Sequence, residues 1–158
     1  MTMPTLSGAR ATGLLFAPVR WVPQPLLACA FFRLLNLGLA EPLRDGELDF
    51  LTGRCLKVRV DDLDLEWRIT LSPGQRLVAA PAREPDVAIG GAASELLLLA
   101  ARREDPDTLF FQRRLRLTGD TELGLHVKNL MDSLELDVLP PPVRWVVERA
   151  ADWLQRST

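Results

Sequence analysis

Residues 111–132, FQRRLRLTGDTELGLHVKNLMD, predict a strand, a sharp turn and a helix in succession. In residues 113–118, RRLRLT, leucines alternate with arginines, which is the period-two pattern of a strand with one buried face. Gly119 permits a sharp turn, and Asp120 or Thr121 can cap the helix that follows. The apolar positions of that helix recur with helical spacing and form one face, which consists of Leu123, Val127, Leu130, Met131 and Leu134.

Four further strand-like runs precede this stretch, over residues 54–60, 65–71, 75–79 and 86–90. Each run is short, and turn residues separate them. We expect these four strands to form an antiparallel meander and the whole sheet to have about five strands. The sequence therefore predicts an α/β fold of the α+β type, with a five-stranded, mainly antiparallel sheet covered by helices.

The remaining segments are predicted to be helices, and the chain is predicted to form one domain. A nearly all-apolar helix is predicted from Pro25 to Gly38, and shorter ones over residues 41–51, 92–103 and from Pro106. The last helix, over residues 143–155, has a predicted core stripe made of Val143, Val146, Val147, Ala150 and Leu154. We expect residues 1–24 to form an arm and residues 25–158 to form a single domain that includes the apolar helix and the last helix.

Composition excludes several classes of protein. The chain has 158 residues, of which 47% are apolar and 25% charged, and this is ordinary for one packed domain. A net charge of −2 lacks the basic excess that binding to nucleic acid requires. Cys29 and Cys55 belong to no metal-ligand pattern, and a reducing cytoplasm is the simplest compartment. The uncharged run over residues 21–32 is too short to span a bilayer.

Positive charge is concentrated at the front of the chain. Arg10, Arg20 and Arg33 are the only formal charges in residues 1–40, so this apolar stretch carries +3. It suits contact with anionic lipid headgroups, and it equally suits an arm that packs on the body of the domain. Trp145 falls on the polar side of its predicted helix, where an indole fits either a membrane interface or packing beneath that arm.

Catalytic patterns are weak in this sequence. His126 has no serine, cysteine or acid at the spacing of a catalytic triad, and the acids of residues 61–66 lack the pattern of a calcium loop. We therefore expect no enzyme activity, metal or cofactor. The amount of apolar material is large for so small a sheet, and it fits either a ligand cavity or a solid core.

The stretch quoted first has the form FxRRLxLxGDTELGLxVKNLxD, which resembles the signature of the UbiT accessory factors of ubiquinone biosynthesis, within the sterol carrier protein type 2 superfamily. The resemblance covers roughly residues 25–135. It implies a sheet and helices that enclose an apolar lipid tunnel, and a non-catalytic carrier of isoprenoid quinone intermediates and of acidic phospholipid such as phosphatidic acid. It also implies a role in the oxygen-independent route to ubiquinone, with UbiU–UbiV and other enzymes of the route as partners.

From this resemblance we expect a cytoplasmic protein that associates peripherally with the inner membrane. Its lipid-binding wall is predicted to contain Leu26, Leu27, Phe31, Phe32, Leu35, Leu97, Leu98, Phe110, Phe111, Leu123, Val127 and Leu130. Arg20, Arg33 and Trp145 are predicted to contact headgroups or the membrane. The helix from Pro25 would serve as a lid, as a membrane anchor or as the contact of a dimer.

Two other classes stay open at this point. One is a scaffold whose apolar helix docks on biosynthetic enzymes and which holds no lipid. The other is a hydrolase of acyl or phospholipid substrates with His126 as its base.

Overall fold

A five-stranded sheet forms the centre of the protein in the computed structural model, which describes residues 21–134 and 137–157. Its strands are β1 (Leu56–Val60), β2 (Leu65–Leu71), β3 (Leu77–Ala79), β4 (Val87–Gly91) and β5 (Leu115–Gly119). They lie in the order β3-β2-β1-β4-β5, and every pairing except β1 with β4 is antiparallel. The predicted fold class is confirmed. The predicted arm falls largely on residues 1–20, outside the described residues.

The helices are α1 (Gln24–Gly38), α2 (Ala40–Arg44), α3 (Ala93–Ala100), α4 (Pro106–Phe111), α5 (Thr121–Asp132) and α6 (Pro141–Ser157). Prolines lie in the first turns of α1 and α4, where the missing N–H is not needed. The single helix predicted over residues 41–51 is wrong. It is divided into α2 and a 3-10 turn (Asp49–Leu51), because Gly46 adopts a positive φ of 75° between them.

The predicted meander is also wrong, since β4 does not pair with β3. It lies on the far side of β1 and runs parallel to it, starting from the pair Leu56 and Val87. The Asp86 carboxylate accepts hydrogen bonds from the Cys55 backbone N–H at 2.7 Å and from Arg83 at 2.6 Å. These bonds place the start of β4 beside the start of β1, and so make the two strands parallel.

The two faces of the sheet differ sharply in polarity. One face carries the apolar side chains of every strand, and the side chains of α1 to α5 pack on it in one continuous core. The other face carries charged residues in ion pairs, among them Lys57 with Glu66 at 3.4 Å and Arg116 with Asp61 at 2.8 Å. The sheet therefore buries only one of its faces against helices.

Helix α6 packs on α3 as a further layer. Val147, Ala151 and Leu154 meet Leu97, Leu98 and Ala101 in a separate small core. An ion pair of 2.6 Å between Arg103 and Asp152 borders this contact. Val146, which was predicted to lie in the core stripe, is instead 57% exposed, because the buried face of α6 is centred on the fully buried Ala151.

The turn between β5 and α5 is as the sequence predicts. Gly119 has a φ of 106°, and the Asp120 side chain caps α5 by accepting a hydrogen bond from the Leu123 N–H at 3.0 Å. A Cβ added to Gly124 would lie 2.9 Å from Leu117 Cδ2, so this glycine lets α5 approach the sheet closely. The cap and the two glycines together hold α5 against β5.

We predict that Gly119→Ala strongly destabilises the protein. A Cβ at this position would lie 2.5 Å from the Asp86 carbonyl oxygen, in a backbone conformation that L side chains rarely adopt. The expected loss is about 3 kcal/mol in the free energy of unfolding, measured by urea titration. Gly53→Ala is the control, since Gly53 also has a positive φ of 70° but has no atom within 4 Å of the added Cβ. Equal losses in the two variants would contradict the steric argument.

We also predict an acid-dependent loss of stability at Asp86. The backbone N–H of Cys55 and the Arg83 guanidinium lower the pKa of the Asp86 carboxyl, against the opposing effect of burial. A lowered pKa in the folded state means that the stabilisation is present above the unfolded value of about 4 and is lost as the pH falls through the folded value. Asp86→Asn should be less stable than the parent at pH 7, and the difference should shrink on acidification. A difference that does not change with pH would contradict this account.

Candidate functional site

A groove of about 540 Å³ lies between α1 and the edge strand β3. Its volume falls within the range usual for small-molecule sites. Its walls are mostly apolar, and the lining residues are Cys29, Phe32, Arg33 and Asn36 from α1 and Arg76, Leu77, Val78 and Ala79 from β3 and the preceding residue. The groove is open to solvent along one side, where Val78 is 38% exposed.

Asn36 joins the two walls of this groove. Its side-chain oxygen accepts from the Leu77 N–H at 2.8 Å, and its amide nitrogen donates to the Leu77 carbonyl at 2.9 Å. The same nitrogen donates to the Phe32 carbonyl within α1 at 2.8 Å. Because β3 is an edge strand, the Asn36 amide takes the place of a neighbouring strand at this residue and covers the edge.

Two guanidinium groups flank the groove. Arg33 projects from the exposed side of α1 and Arg76 directly precedes β3, and both residues are exposed. Within residues 21–134 and 137–157, neither side chain forms an ion pair or a hydrogen bond. By contrast, Arg114 and Arg116 are both engaged with carboxylates. The groove thus combines apolar walls with two cations that have no anionic partner among the described residues.

An aromatic contact holds the middle of α1 to the sheet. The Phe31 ring stacks on the Trp67 indole with a centroid distance of 4.1 Å and an angle of 6°. Phe31 also meets the edge of Phe32 at 5.3 Å. Leu27 packs nearer the start of α1, with the cluster of Val60, Leu65 and Ala93. The inner side of α1 is therefore only half-buried, and its contacts are few and discrete.

The predicted wall residues divide into three groups. Leu123, Val127 and Leu130 are buried in the main core, with Phe31, Phe32, Leu35 and Phe110 partly buried against it. Leu97 and Leu98 face α6, and Leu27 belongs to the cluster described above. Leu26 is 61% exposed and Phe111 is 90% exposed, so both lie on the surface. Only Phe32 among the predicted wall residues lines the groove.

Two of the three predicted headgroup contacts are among the described residues, and they lie on different helices. Arg33 borders the groove, and Arg20 lies outside the described residues. Trp145 lies on α6 and is 59% exposed, with the Arg149 guanidinium 5.4 Å from the centre of its ring. The structure therefore does not bring these three residues together in one described site.

His126 lies in a second, smaller hollow of about 380 Å³. Its imidazole stacks on Phe50 with a centroid distance of 5.0 Å. Ser133 shares the hollow, but its hydroxyl donates to the Asn129 carbonyl at 3.2 Å and not to His126. Among the described residues nothing forms a hydrogen bond with the imidazole, so the geometry of a serine and a histidine base is not present there.

Two comparisons with known sequences bear on the identity of this fold. The sequence profile of the SCP-2 sterol transfer family matches residues 31–132, which include α1 from Phe31, the whole sheet and α5. The chain belongs to the SCP-2 sterol transfer family. It is also 45% identical over 142 residues to the ubiquinone biosynthesis accessory factor UbiT of Escherichia coli K12. The aligned region covers 90% of this chain and 81% of that protein. The same identity and coverage hold for UbiT of Escherichia coli O157:H7, and the resemblance to the UbiT group is confirmed.

Solved structures agree on the fold. The SCP2 domain of the ubiquinone synthesis protein UbiJ superposes with a TM-score of 0.57 and 23% identity, over 71% of this chain and 98% of that domain. A double mutant of the sec-alkyl sulfatase PisA1 superposes with a TM-score of 0.50 and 20% identity, over 73% of this chain and 17% of the sulfatase. At these identities the two structures support the architecture alone.

Residues 21–134 and 137–157 contain neither a membrane-spanning helix nor a metal site. None of the helices is both long and apolar enough to cross a membrane. No group of three or more histidine, cysteine or acidic side chains is placed to hold a metal ion, within the ranges that the structure describes.

The sequence reasoning missed Asn36 and Arg76 as members of the site. Asn36 stands out in the sequence as one of few polar residues in an apolar helix, and that was the available signal. No sequence pattern marks Arg76, because this residue reaches the groove only through the pairing of β3 with β2.

We predict that Asn36→Leu loosens α1 from the sheet edge. The substitution removes both hydrogen bonds to Leu77 at nearly constant volume, and we expect a loss of about 1–2 kcal/mol in the free energy of unfolding. Hydrogen exchange of the Leu77 amide should accelerate, since its acceptor is gone. Asn129→Leu on α5 is the control, because the Asn129 side chain forms no such bond among the described residues. Unchanged exchange at Leu77 would contradict the role given to Asn36.

Proposed function

We propose that the protein is a non-catalytic lipid carrier and accessory factor of ubiquinone biosynthesis. Its cargo is an isoprenoid quinone intermediate or an acidic phospholipid such as phosphatidic acid. The observation that carries this proposal is the apolar groove between α1 and β3, flanked by two guanidiniums without ion-pair partners among the described residues. Membership of the SCP-2 sterol transfer family and 45% identity to UbiT support it.

The groove suits an amphiphile with an anionic head. Arg33 and Arg76 can donate hydrogen bonds in pairs to a phosphate, which is the recognition that guanidinium geometry favours. The apolar walls next to them, formed by Phe32, Leu77 and Val78, accept the start of an acyl or isoprenoid chain. Each 100 Å² of apolar surface that the chain buries contributes about 2.5 kcal/mol to binding.

A longer tail needs more room than the groove offers, and α1 can provide it. The inner residues Phe31, Phe32 and Leu35 are only partly buried against the main core, which also contains Leu123, Val127 and Leu130 of α5. Displacing α1 outward would open an apolar space bounded by these two sets of residues. We propose that the tail enters there, so that the predicted wall residues of α1 and α5 contact it while α1 acts as a lid.

The outer surface of α1 supports a transient contact with a membrane. Leu26, Ala30 and Leu37 are exposed on one side of the helix, with Arg33 as the only charge among them. An apolar surface with one cation suits the headgroup region of an anionic bilayer. We propose peripheral association with the inner membrane from the cytoplasmic side, and delivery of cargo to UbiU–UbiV and other enzymes of the oxygen-independent route.

The decisive experiment is native mass spectrometry of the protein purified without detergent, followed by extraction and identification of its lipids. We expect stoichiometric phosphatidic acid or an isoprenoid phenol or quinone precursor. Arg33→Ala/Arg76→Ala should lose at least tenfold of its acidic phospholipid and keep a neutral isoprenoid ligand. Val78→Trp, which fills the groove from β3, should reduce both.

Arg44→Ala/Arg113→Ala is the matched control, because both arginines are exposed and lie outside the groove. This double variant should retain its lipid. A protein that is empty and takes up no added lipid would contradict the carrier and favour the scaffold. The same spectra report whether the protein is a monomer or a dimer.

A further inference from the structure

Helix α6 has an outer face that its packing on α3 leaves exposed. Trp145 is 59% exposed, Val146 57% and Trp153 39%. Residues 145, 149, 153 and 156 are spaced by four, four and three positions, so they share one side of the helix. This side lies opposite the buried residues Ala151 and Leu154.

Among the described residues, the unpaired charges on this face are the two guanidiniums of Arg149 and Arg156. Arg149 is exposed between the two tryptophans, and Arg156 is exposed after Trp153. The Arg149 guanidinium lies 5.4 Å from the centre of the Trp145 ring. Of the two acids of the helix, Asp152 lies at the edge of this face, where it pairs with Arg103 at 2.6 Å, and Glu148 is half-buried. The chain as a whole carries −2, so this cationic face is a local property of α6.

Indoles interleaved with guanidiniums match the interface of an anionic bilayer. Tryptophan rings settle at the level of the headgroups, with the apolar part toward the acyl chains, and arginines reach the phosphates. A helix of 17 residues is about 25 Å long and can lie flat in this region along its whole length. Its buried side remains attached to α3 through Leu97, Leu98 and Ala101.

We propose that the outer face of α6, formed by Trp145, Val146, Arg149, Trp153 and Arg156, is the surface that holds the protein on a membrane that contains anionic phospholipid, in addition to the transient contact proposed for α1. This docking deepens the proposed function, because a lipid carrier must meet the bilayer with which it exchanges cargo. It is separate from the groove and uses none of the groove's residues.

Liposome flotation with phosphatidylcholine vesicles, with and without phosphatidylglycerol, tests this surface. The parent protein should float with the anionic vesicles, and salt should weaken the binding. Arg149→Gln/Arg156→Gln should bind about fivefold more weakly for each arginine removed. Trp145→Ser/Trp153→Ser should bind at least tenfold more weakly, since it removes both interfacial anchors.

The controls are Arg44→Gln and Leu125→Ser. Arg44 is an exposed arginine on α2, and Leu125 is a 56% exposed apolar residue on α5. Both variants should bind vesicles as the parent does. Equal weakening in the α6 variants and these controls would overturn the proposal, as would binding that ignores phosphatidylglycerol.

Depth of insertion gives a second readout that does not depend on affinity. The chain has four tryptophans, at positions 21, 67, 145 and 153. A variant that keeps only Trp145 should be quenched by lipids brominated near the headgroup, whereas one that keeps only Trp67 should not. Trp145 that stays unquenched while the protein floats would show docking through another surface and overturn the proposal.

Failure of this proposal is distinguishable from failure of the carrier. Lipid that copurifies with the protein is measured without any bilayer, and the α6 variants should retain it in the parent's amount. Retained lipid without vesicle binding by the parent would refute docking and leave the carrier intact. Binding of the α6 face to an acidic protein surface in place of vesicles would also refute it.

Discussion

The sheet has one apolar face, and the placement of every helix follows from that constraint. The opposite face is occupied by paired charges such as Lys57 with Glu66, so the apolar side chains of α1 to α5 all pack on the same side. Five helices therefore share the one apolar face of five short strands. Helix α5, which packs on β4 and β5, buries Leu123 and Val127. Other helices, and α1 above all, keep apolar surface that the sheet does not cover.

Helix α1 is the clearest case of such incomplete burial. It is apolar on both sides, but a few discrete contacts hold it to the sheet: Asn36 bonds to Leu77 of the edge strand, and Phe31 stacks on Trp67 of β2. A helix held by a few discrete contacts needs less free energy to be displaced than one buried in a continuous core. The same geometry leaves a groove beside β3 and two arginines at its rim. Apolar surface that would otherwise face water is thus placed where a lipid tail can cover it.

Local patterns predicted most of the elements, because their causes lie within a few residues. The strand at Leu115, the positive φ of Gly119 and the cap at Asp120 all follow from neighbours in sequence. The order of the strands could not be predicted in this way, since the bond from Cys55 to Asp86 joins residues 31 positions apart. The groove is even harder to predict from the sequence than the order of the strands. Asn36 and Leu77 are 41 positions apart, and no periodicity in α1 or β3 reports that they meet.

Helix α3 contacts both α1 and α6, and it does so through different residues. Leu96 packs in the same cluster as Leu27 of α1, whereas Leu97 and Leu98 pack against α6. The contacts of α1 with α3 therefore lie on a different side of α3 from those of α6. Displacing α1 would disturb the cluster around Leu27 and leave the small core of Ala151 and Leu154 in place. A protein docked through α6 could consequently open α1 and exchange its cargo without leaving the membrane, because the docking surface and the lid share no buried contact in these clusters.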